Sequence, residues 1–374
     1  MRKSIKLVTL FDIPVEINIS WFILLGLIVF TLAKSYFPLT NPMLTTTTHW
    51  AMAVLAAFLL FASLLAHELS HSLVAKRNAL PIHGITLFIF GGVAHMEKEP
   101  QSPGIEFRMA IAGPLMSFAI ALLFLVISRL AIRLALPIAF ISIANYVFII
   151  NIVVGIFNLI PGFPLDGGRV LRATLWAIFK DLKKATAIAT GLGKLFAFTL
   201  MGFGFINLFS GSFISGIWLI FIGLFLQESA EVSYRQVLMK KMLSGVKVEK
   251  LMSKEVITIP ANITLDKLVD NYFFKYRHSC FPVMEDDTIL GIVTLHDVKE
   301  VARDKWDITP AKDIMEPLDS HIMISKHFDA MEALPKIANN GIGRLLVIDH
   351  TKLIGILSQR DIMRLFEFKS EIEA

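Results

Sequence analysis

Six stretches of the chain carry almost no charge and approach or exceed the roughly 20 apolar residues a helix needs to cross a bilayer. They lie at 17–33, 35–67, 109–128, 134–165, 185–209 and 213–230. The second should open as a helix at the threonine run 45–48 and His49. Gly113 and Pro114 should make the first turns of the third irregular, and Pro161, Gly162 and Pro164 should break the end of the fourth. Residues 82–96 follow a different pattern. Ile85, Thr86, Phe88, Ile89 and Phe90 favour strands, and Gly91-Gly92 reads as a hairpin turn. Apolar backbone of this kind must face protein or a water-filled cavity at membrane depth, so a membrane-embedded β-hairpin is expected.

Near residue 230 the pattern changes. Residues 1–230 hold 16 Lys and Arg with 9 Asp and Glu, whereas the 144 residues that follow hold 20 and 22. The second half therefore has the charge density of a soluble domain, and the first does not. Over the whole chain apolar residues make up 55% and charged residues 18%, with a mean hydropathy of +0.65. The single Cys280 excludes a disulfide framework and a Cys-rich zinc cluster. A secreted scaffold, a disordered tail protein and a soluble enzyme are all ruled out.

The polar half repeats itself. Leu251-Met252 returns as Ile314-Met315, and GIVTLHD at 291–297 returns as GILSQRD at 355–361. Each copy reads as strand, helix, strand, strand, helix. The expected fold is an α-helical polytopic membrane domain of about six spans at 1–230, a linker at 231–245, and cytosolic α/β repeats at 246–308 and 309–374.

Orientation follows from the basic residues at the span ends. With the N-terminus inside, 15 Lys and Arg fall on inner segments, and only Lys34, Arg129 and Arg133 on outer ones. Both termini are expected in the cytoplasm, in a multi-pass protein of the cell membrane. Arg2, Lys3 and Lys6 are followed by Asp12, Pro14 and Glu16 with no small-residue cleavage site, so no cleavable signal peptide is read. The net +5 is what cytoplasmic loop charges produce, and no nucleic-acid partner is implied.

His67-Glu68-Leu69-Ser70-His71 is an HExxH motif in an apolar helical stretch. Four residues apart, His67 and His71 share one helix face and can both reach a Zn²⁺ ion. Glu68, turned about 100° away, can reach a water at the metal without binding the metal itself. Zinc requires a third protein ligand. Arg77 stands where the metzincin spacing would demand histidine; His83, His95 and Glu97 are possible, and Asp166 is the better candidate. Asp166 sits in NLIPGFPLDGG (158–168), where prolines and glycines unwind the chain, and a carboxylate at that depth needs a cation.

HExxH in a membrane helix, followed some hundred residues later by NxxPxxPxDGG, resembles the site-2 protease family of intramembrane zinc metalloproteases. The paired repeats resemble CBS (cystathionine β-synthase) domains, which one branch of that family carries at its C-terminus. The resemblance implies zinc ligands His67, His71 and Asp166, Glu68 as acid and base, and Asn158 as a group binding the substrate carbonyl. The family usually has Pro before the glycine pair, where this chain has Phe90, and no PDZ-like insertion is present. One zinc per chain is implied, and a transmembrane protein as substrate. The strand-like 82–96 could accept an unwound substrate segment.

In CBS domains the hydroxyl and carboxylate of a G-h-h-[ST]-x-x-D turn hold the ribose and phosphates of a nucleotide. Here those positions are Thr294 with Asp297 and Ser358 with Asp361. The resemblance therefore implies ATP, ADP or AMP at the repeats as a modulator of the protease. Arg344 and Arg360 are near enough in sequence to neutralise phosphate. The same hydroxyl–carboxylate spacing also makes an ordinary helix N-cap. Membrane lipid and, through the CBS pair, a second copy of the chain are the other partners implied. The alternative reading is a transporter or channel gated by the repeats, since broken helices and intramembrane carboxylates also suit ion paths.

Overall fold

Two strands that the hydropathy pattern hides precede the first span. In the computed structural model, which describes residues 4–88, 91–96, 100–350 and 352–373, β1 (Ser4–Leu10) and β2 (Ile13–Asn18) form an antiparallel hairpin. Ile13, Val15 and Ile17 alternate inward along β2, the period-2 signature of a half-buried strand. The Asn18 side chain accepts a hydrogen bond from the Ser20 N–H at 3.0 Å and so caps α1 (Ile19–Thr31). A π-helical turn at Leu32–Tyr36 carries the chain into α2 (Phe37–Thr40). The first apolar helix thus runs Ile19–Thr40, straight through Lys34 instead of ending before it.

The remaining helices of this unit are α3 (Thr46–Arg77), α4 (Pro103–Arg133), α5 (Ile138–Asn158), α6 (Asp166–Phe179), α7 (Leu182–Phe209) and α8 (Phe213–Leu243). Between α3 and α4 lie β3 (Ile82–Phe88) and β4 (Gly91–Met96). Six helices among the described residues are long and apolar enough to span a membrane. Thr45 opens α3, its hydroxyl accepting from the Thr48 N–H at 3.2 Å. Three expectations need correction. Gly113 and Pro114 do not disturb a helix start, because α4 begins ten residues earlier at the Ser102 cap and runs unbroken through both. Gly91 and Gly92 open β4, since Gly91 pairs with Phe88; residues 89 and 90 lie outside the described residues. Most of the expected linker is helix. Residues 231–243 contain no Gly or Pro, and α8 continues to Leu243 before Gly245, at φ +79°, stops it.

The four strands form one sheet in the order β1-β2-β3-β4. β2 and β3 run parallel, Val15 opposite Ile85 and Ile17 opposite Leu87, and β3 pairs antiparallel with β4. Its inner residues Ile13, Ile17, Ile85 and Leu87 pack on Leu65 and Leu69 of α3, which bracket His67 and Glu68. A second core joins Phe37, Met52, Ala53 and Ala56 to Ile143 and Val147 of α5, where fully buried alanines let the helices approach closely.

The chain divides into two units, Met1–Arg235 and Gln236–Ala374. The second holds the repeats. The first copy comprises β5 (Ile259–Pro260), a helix from α9 (Leu265–Leu268) to α10 (Phe274–Tyr276), β6 (Cys280–Glu285), β7 (Thr288–Thr294) and α11 (Leu295–Glu300). After β8 (Glu316–Pro317), the second comprises β9 (Met323–Ser325), α12 (Ala330–Asn339), β10 (Arg344–Asp349), β11 (Lys352–Ser358) and α13 (Gln359–Glu373). In each copy the first strand lies parallel to the second, and the second antiparallel to the third.

The packing does not respect the repeat boundary read from the sequence. Val248, Leu251 and Met252, at the start of the first copy, pack with Ile324, Leu345, Val347 and Leu357 of the second, and Ser253 bridges Ile356. Conversely Ala311, Ile314 and Met315 join the first core, and Glu316 pairs with Ile292 of β7. Each copy lends its leading segment to the other, so neither can close its core alone. In a fragment beginning at residue 258, amide exchange in β10 and β11 should therefore accelerate far more than in β6 and β7. Equal loss in both sheets would contradict the exchange of segments.

Candidate metal centre

α3 presents His67 and His71 on one face, and the loop after α5 delivers Asp166 to the same point. The Asp166 Oδ2 atom lies 3.1 Å from His67 Nε2 and 3.1 Å from His71 Nε2, and the two Nε2 atoms are 3.2 Å apart. His67 is 3% exposed. Among the described residues these three form the one group of this kind able to hold a metal ion.

The opposite edges of both rings are already engaged. His71 Nδ1 sits 2.6 Å from the Met109 carbonyl, which can only accept, so the proton is on Nδ1 and the Nε2 lone pair is free. His67 Nδ1 lies 2.9 Å from Ser117 Oγ. Such partners fix tautomer and ring orientation in metal sites. Two imidazole lone pairs and a carboxylate oxygen aimed at one point repel each other unless a cation lies between them. Tetrahedral zinc, with bonds near 2.0–2.1 Å, separates its ligand atoms by about 3.3 Å. The spacing here fits that requirement.

Both histidine supports come from α4, which also supplies the space. A Cβ on Gly113 would fall on the Nε2 atoms of His71 and His67, so only glycine lets α4 lie this close beneath the rings. Met109, Gly113 and Ser117 stand at helical spacing on one face. The Gly113-Pro114 pair was visible in the sequence, but as a helix irregularity. The signal that identifies it is the run of small and polar residues at that spacing within an apolar helix.

Glu68 is half-buried and makes no hydrogen bond among the described residues. A Cβ on Gly92 would collide with its side chain, so β4 passes directly over it. Asp166 begins α6. The glycines that follow it leave room for the 159–163 loop, whose backbone occupies the positions of both missing Cβ atoms. The loop is irregular where the prolines predicted it, and Asp166 pairs with both histidines. Asn158 is the last residue of α5, half-buried and without a side-chain hydrogen bond among the described residues. His83 is exposed on β3 and stands outside the cluster, while Glu97 and the side chain of His95 lie outside the described residues.

In the second unit Thr294 with Asp297 and Ser358 with Asp361 form matching turns. Each hydroxyl donates to its carboxylate, at 2.8 and 2.6 Å, and accepts from the backbone N–H of the same Asp. Both pairs therefore cap helices. The second pair also lines a cavity of about 610 Å³, together with Ile257, His278, Cys280 and Arg344; Thr294 and Asp297 are not part of that lining. Burial pushes the Cys280 thiol up, so it stays protonated at neutral pH and is no nucleophile.

Residues 55–134 and 133–202 match the model of peptidase family M50, and residues 248–304 and 311–367 match that of the CBS domain. Zinc metalloprotease MJ0392 of Methanocaldococcus jannaschii is 31% identical over 100% of both chains. Rip3 of Mycobacterium tuberculosis, named as a candidate zinc metalloprotease, is 33% identical over 98% of this chain and 94% of its own. A solved structure named as a site-2 protease from Methanocaldococcus jannaschii is 34% identical over 61% of this chain and 94% of that one, with a TM-score of 0.42.

Removing a histidine support should weaken metal binding without unfolding the helices. Ser117→Ala is expected to lower metal affinity by about 10- to 100-fold, and Gly113→Ala to abolish stoichiometric metal. Chelator competition followed by metal analysis measures both. Unchanged affinity in Gly113→Ala would mean that the rings do not occupy this position.

Proposed function

This chain belongs to peptidase family M50, the site-2 protease family of zinc metalloproteases, and on that footing we propose that His67, His71 and Asp166 hold one catalytic zinc and that Glu68 acts on the water that cuts the peptide bond. The chain is a multi-pass membrane protein. The observation that carries the proposal is the convergence of three ligand atoms within 3.2 Å, each ring held from behind.

A zinc ion in this site would supply a Lewis acid and bring the pKa of a water molecule to roughly 7. Glu68, with no competing hydrogen bond, takes a proton from that water and returns it to the departing amine. Asn158 is proposed to hold the substrate carbonyl. Ser63 and Asn151 bring α3 and α5 together at 3.2 Å, and alternate spans make these two helices run the same way. From that contact His71 lies eight residues along α3 and Asn158 seven along α5, about 12 and about 10.5 Å. The amide therefore stands at the level of the metal.

The substrate class follows from where the site lies. Glu68 is eight residues, or about 12 Å, inside the helix end marked by Lys76, and β4 reaches it. β3 and β4 are accordingly proposed to dip into the membrane, with both termini cytoplasmic as the basic residues require. Among the described residues β4 is the edge of its sheet and has one unpaired side. An unwound transmembrane segment could add to that edge as a further strand, exposing its amides beside Glu68. Cleavage then falls within the transmembrane segment of another protein, toward its cytoplasmic end.

The cavity at Ser358, Asp361 and Arg344 suits a nucleotide, with the guanidinium available to phosphate. Adenine nucleotide is proposed to bind there and modulate the protease.

Glu68→Gln should retain one zinc per chain and cleave no reporter, whereas Asp166→Ala should lose the zinc. Cleavage by Glu68→Gln would remove the proposed base. Mass spectrometry of the products should put the new termini inside the transmembrane segment; cuts confined to an extracytoplasmic loop would overturn the depth and the topology. Calorimetry of the full chain with ATP, ADP and AMP should give a binding heat that Asp361→Ala weakens at least tenfold and Asp297→Ala leaves nearly unchanged. No heat at millimolar nucleotide would make the repeats a scaffold.

A further inference from the structure

The first turn of α4 and the second turn of α6 share an ion pair that the chemistry above does not use. Glu106 is 1% exposed and Arg172 is 7% exposed. Arg172 Nε donates to Glu106 Oε1 at 2.7 Å, and Nη2 donates to the same oxygen. The Arg172 guanidinium also lies 5.0 Å from the centre of the Phe163 ring, and the Phe163 N–H donates to the Ala189 carbonyl at 3.1 Å. Phe163 belongs to the loop that leads into Asp166.

Arg172 follows Asp166 by six residues, which turns it about 120° round α6 from the aspartate and sets it about 9 Å along the axis. The helix therefore grips two neighbours with two faces. Asp166 meets the histidines of α3, and Arg172 meets Glu106 of α4. On α4, Glu106, Met109, Gly113 and Ser117 follow one another at intervals of three, four and four, and so share a face. That face carries the acceptor for His71, the gap beneath both rings, the partner of His67 and the anchor for the helix of the third ligand.

We infer that Glu106 and Arg172 are positioning residues that set the distance between Asp166 and the histidine pair, with α4 as the shared template. This rests on the metal-site reading above. A buried ion pair is weak support for stability, because well-packed neutral residues often replace it without loss. It can instead fix one arrangement of two helices, and here the arrangement in question is ligand spacing. The pair acts through Asp166 and does not touch substrate.

The test uses the full chain in detergent. Because a single substitution leaves a buried charge without its partner, the informative variant is Glu106→Met with Arg172→Met, beside the single Glu106→Gln. In the double variant the thermal midpoint of the metal-free protein should stay near wild type, while zinc is lost to chelator at a tenfold or lower concentration. Cobalt substituted for zinc should show an altered visible absorption band, reporting changed ligand geometry. Wild-type chelator resistance and an unchanged cobalt spectrum in the double variant would overturn the inference, as would a lowered midpoint with zinc affinity unaltered. Failure of the wild type itself to bind zinc would instead remove the metal site on which the inference stands.

Discussion

Two imidazoles and a carboxylate held within 3.2 Å of each other inside an apolar helix bundle need a metal cation or a shared proton between them. Much of the first unit can be understood as the framework that keeps them there. α3 carries the histidines, the broken segment after α5 returns Asp166 to them, and the sheet packs on Leu65 and Leu69 to each side. Elsewhere between the helices, polar side chains pair across the bundle, Ser63 with Asn151 and Ser128 with Asn145.

α4 contributes none of the three proposed ligands, yet its contacts orient both histidine rings. Its Met109 carbonyl fixes the tautomer of His71, Ser117 holds His67, and Gly113 permits the approach. An ordinary side chain at Gly113 would occupy the ligand atoms themselves. This dependence on one helix face explains how a site assembled from three separate segments can be precise without a rigid soluble core around it. β4 completes the site from the other side by covering Glu68, which makes no hydrogen bond among the described residues and has the edge of the described sheet next to it.

How much of this was legible in the sequence depends on the kind of signal. HExxH and the DGG loop are local patterns whose residues announce their chemistry, and each charge-poor run overlaps one of the six spans, with ends that differ by up to 13 residues. Helix ends were less legible. Lys34, the sole charge between the first two runs, sits inside a continuing helix, and α8 extends past the change in composition because residues 231–243 contain no Gly or Pro to stop it. β1 and β2 escaped notice because β2 buries only alternate residues over a short length. Residues acting through geometry were the least visible of all. Gly113, Ser117, Glu106 and Arg172 belong to no motif, and their roles follow from which helices meet, which is decided by pairings more than 35 residues apart in sequence. In the second unit the repeat was plain, but the exchange of leading segments between its copies was not, since a repeat in sequence does not specify which copy's sheet each segment joins.

X-ray absorption at the zinc edge on the purified full-length protein tests the central claim most directly. The account predicts one zinc per chain with only nitrogen and oxygen neighbours at about 2.0–2.1 Å, and outer-shell scattering from two imidazoles that falls to one in His71→Ala. A spectrum with no bound zinc, with sulfur in the first shell, or with imidazole scattering unchanged in that variant would contradict it.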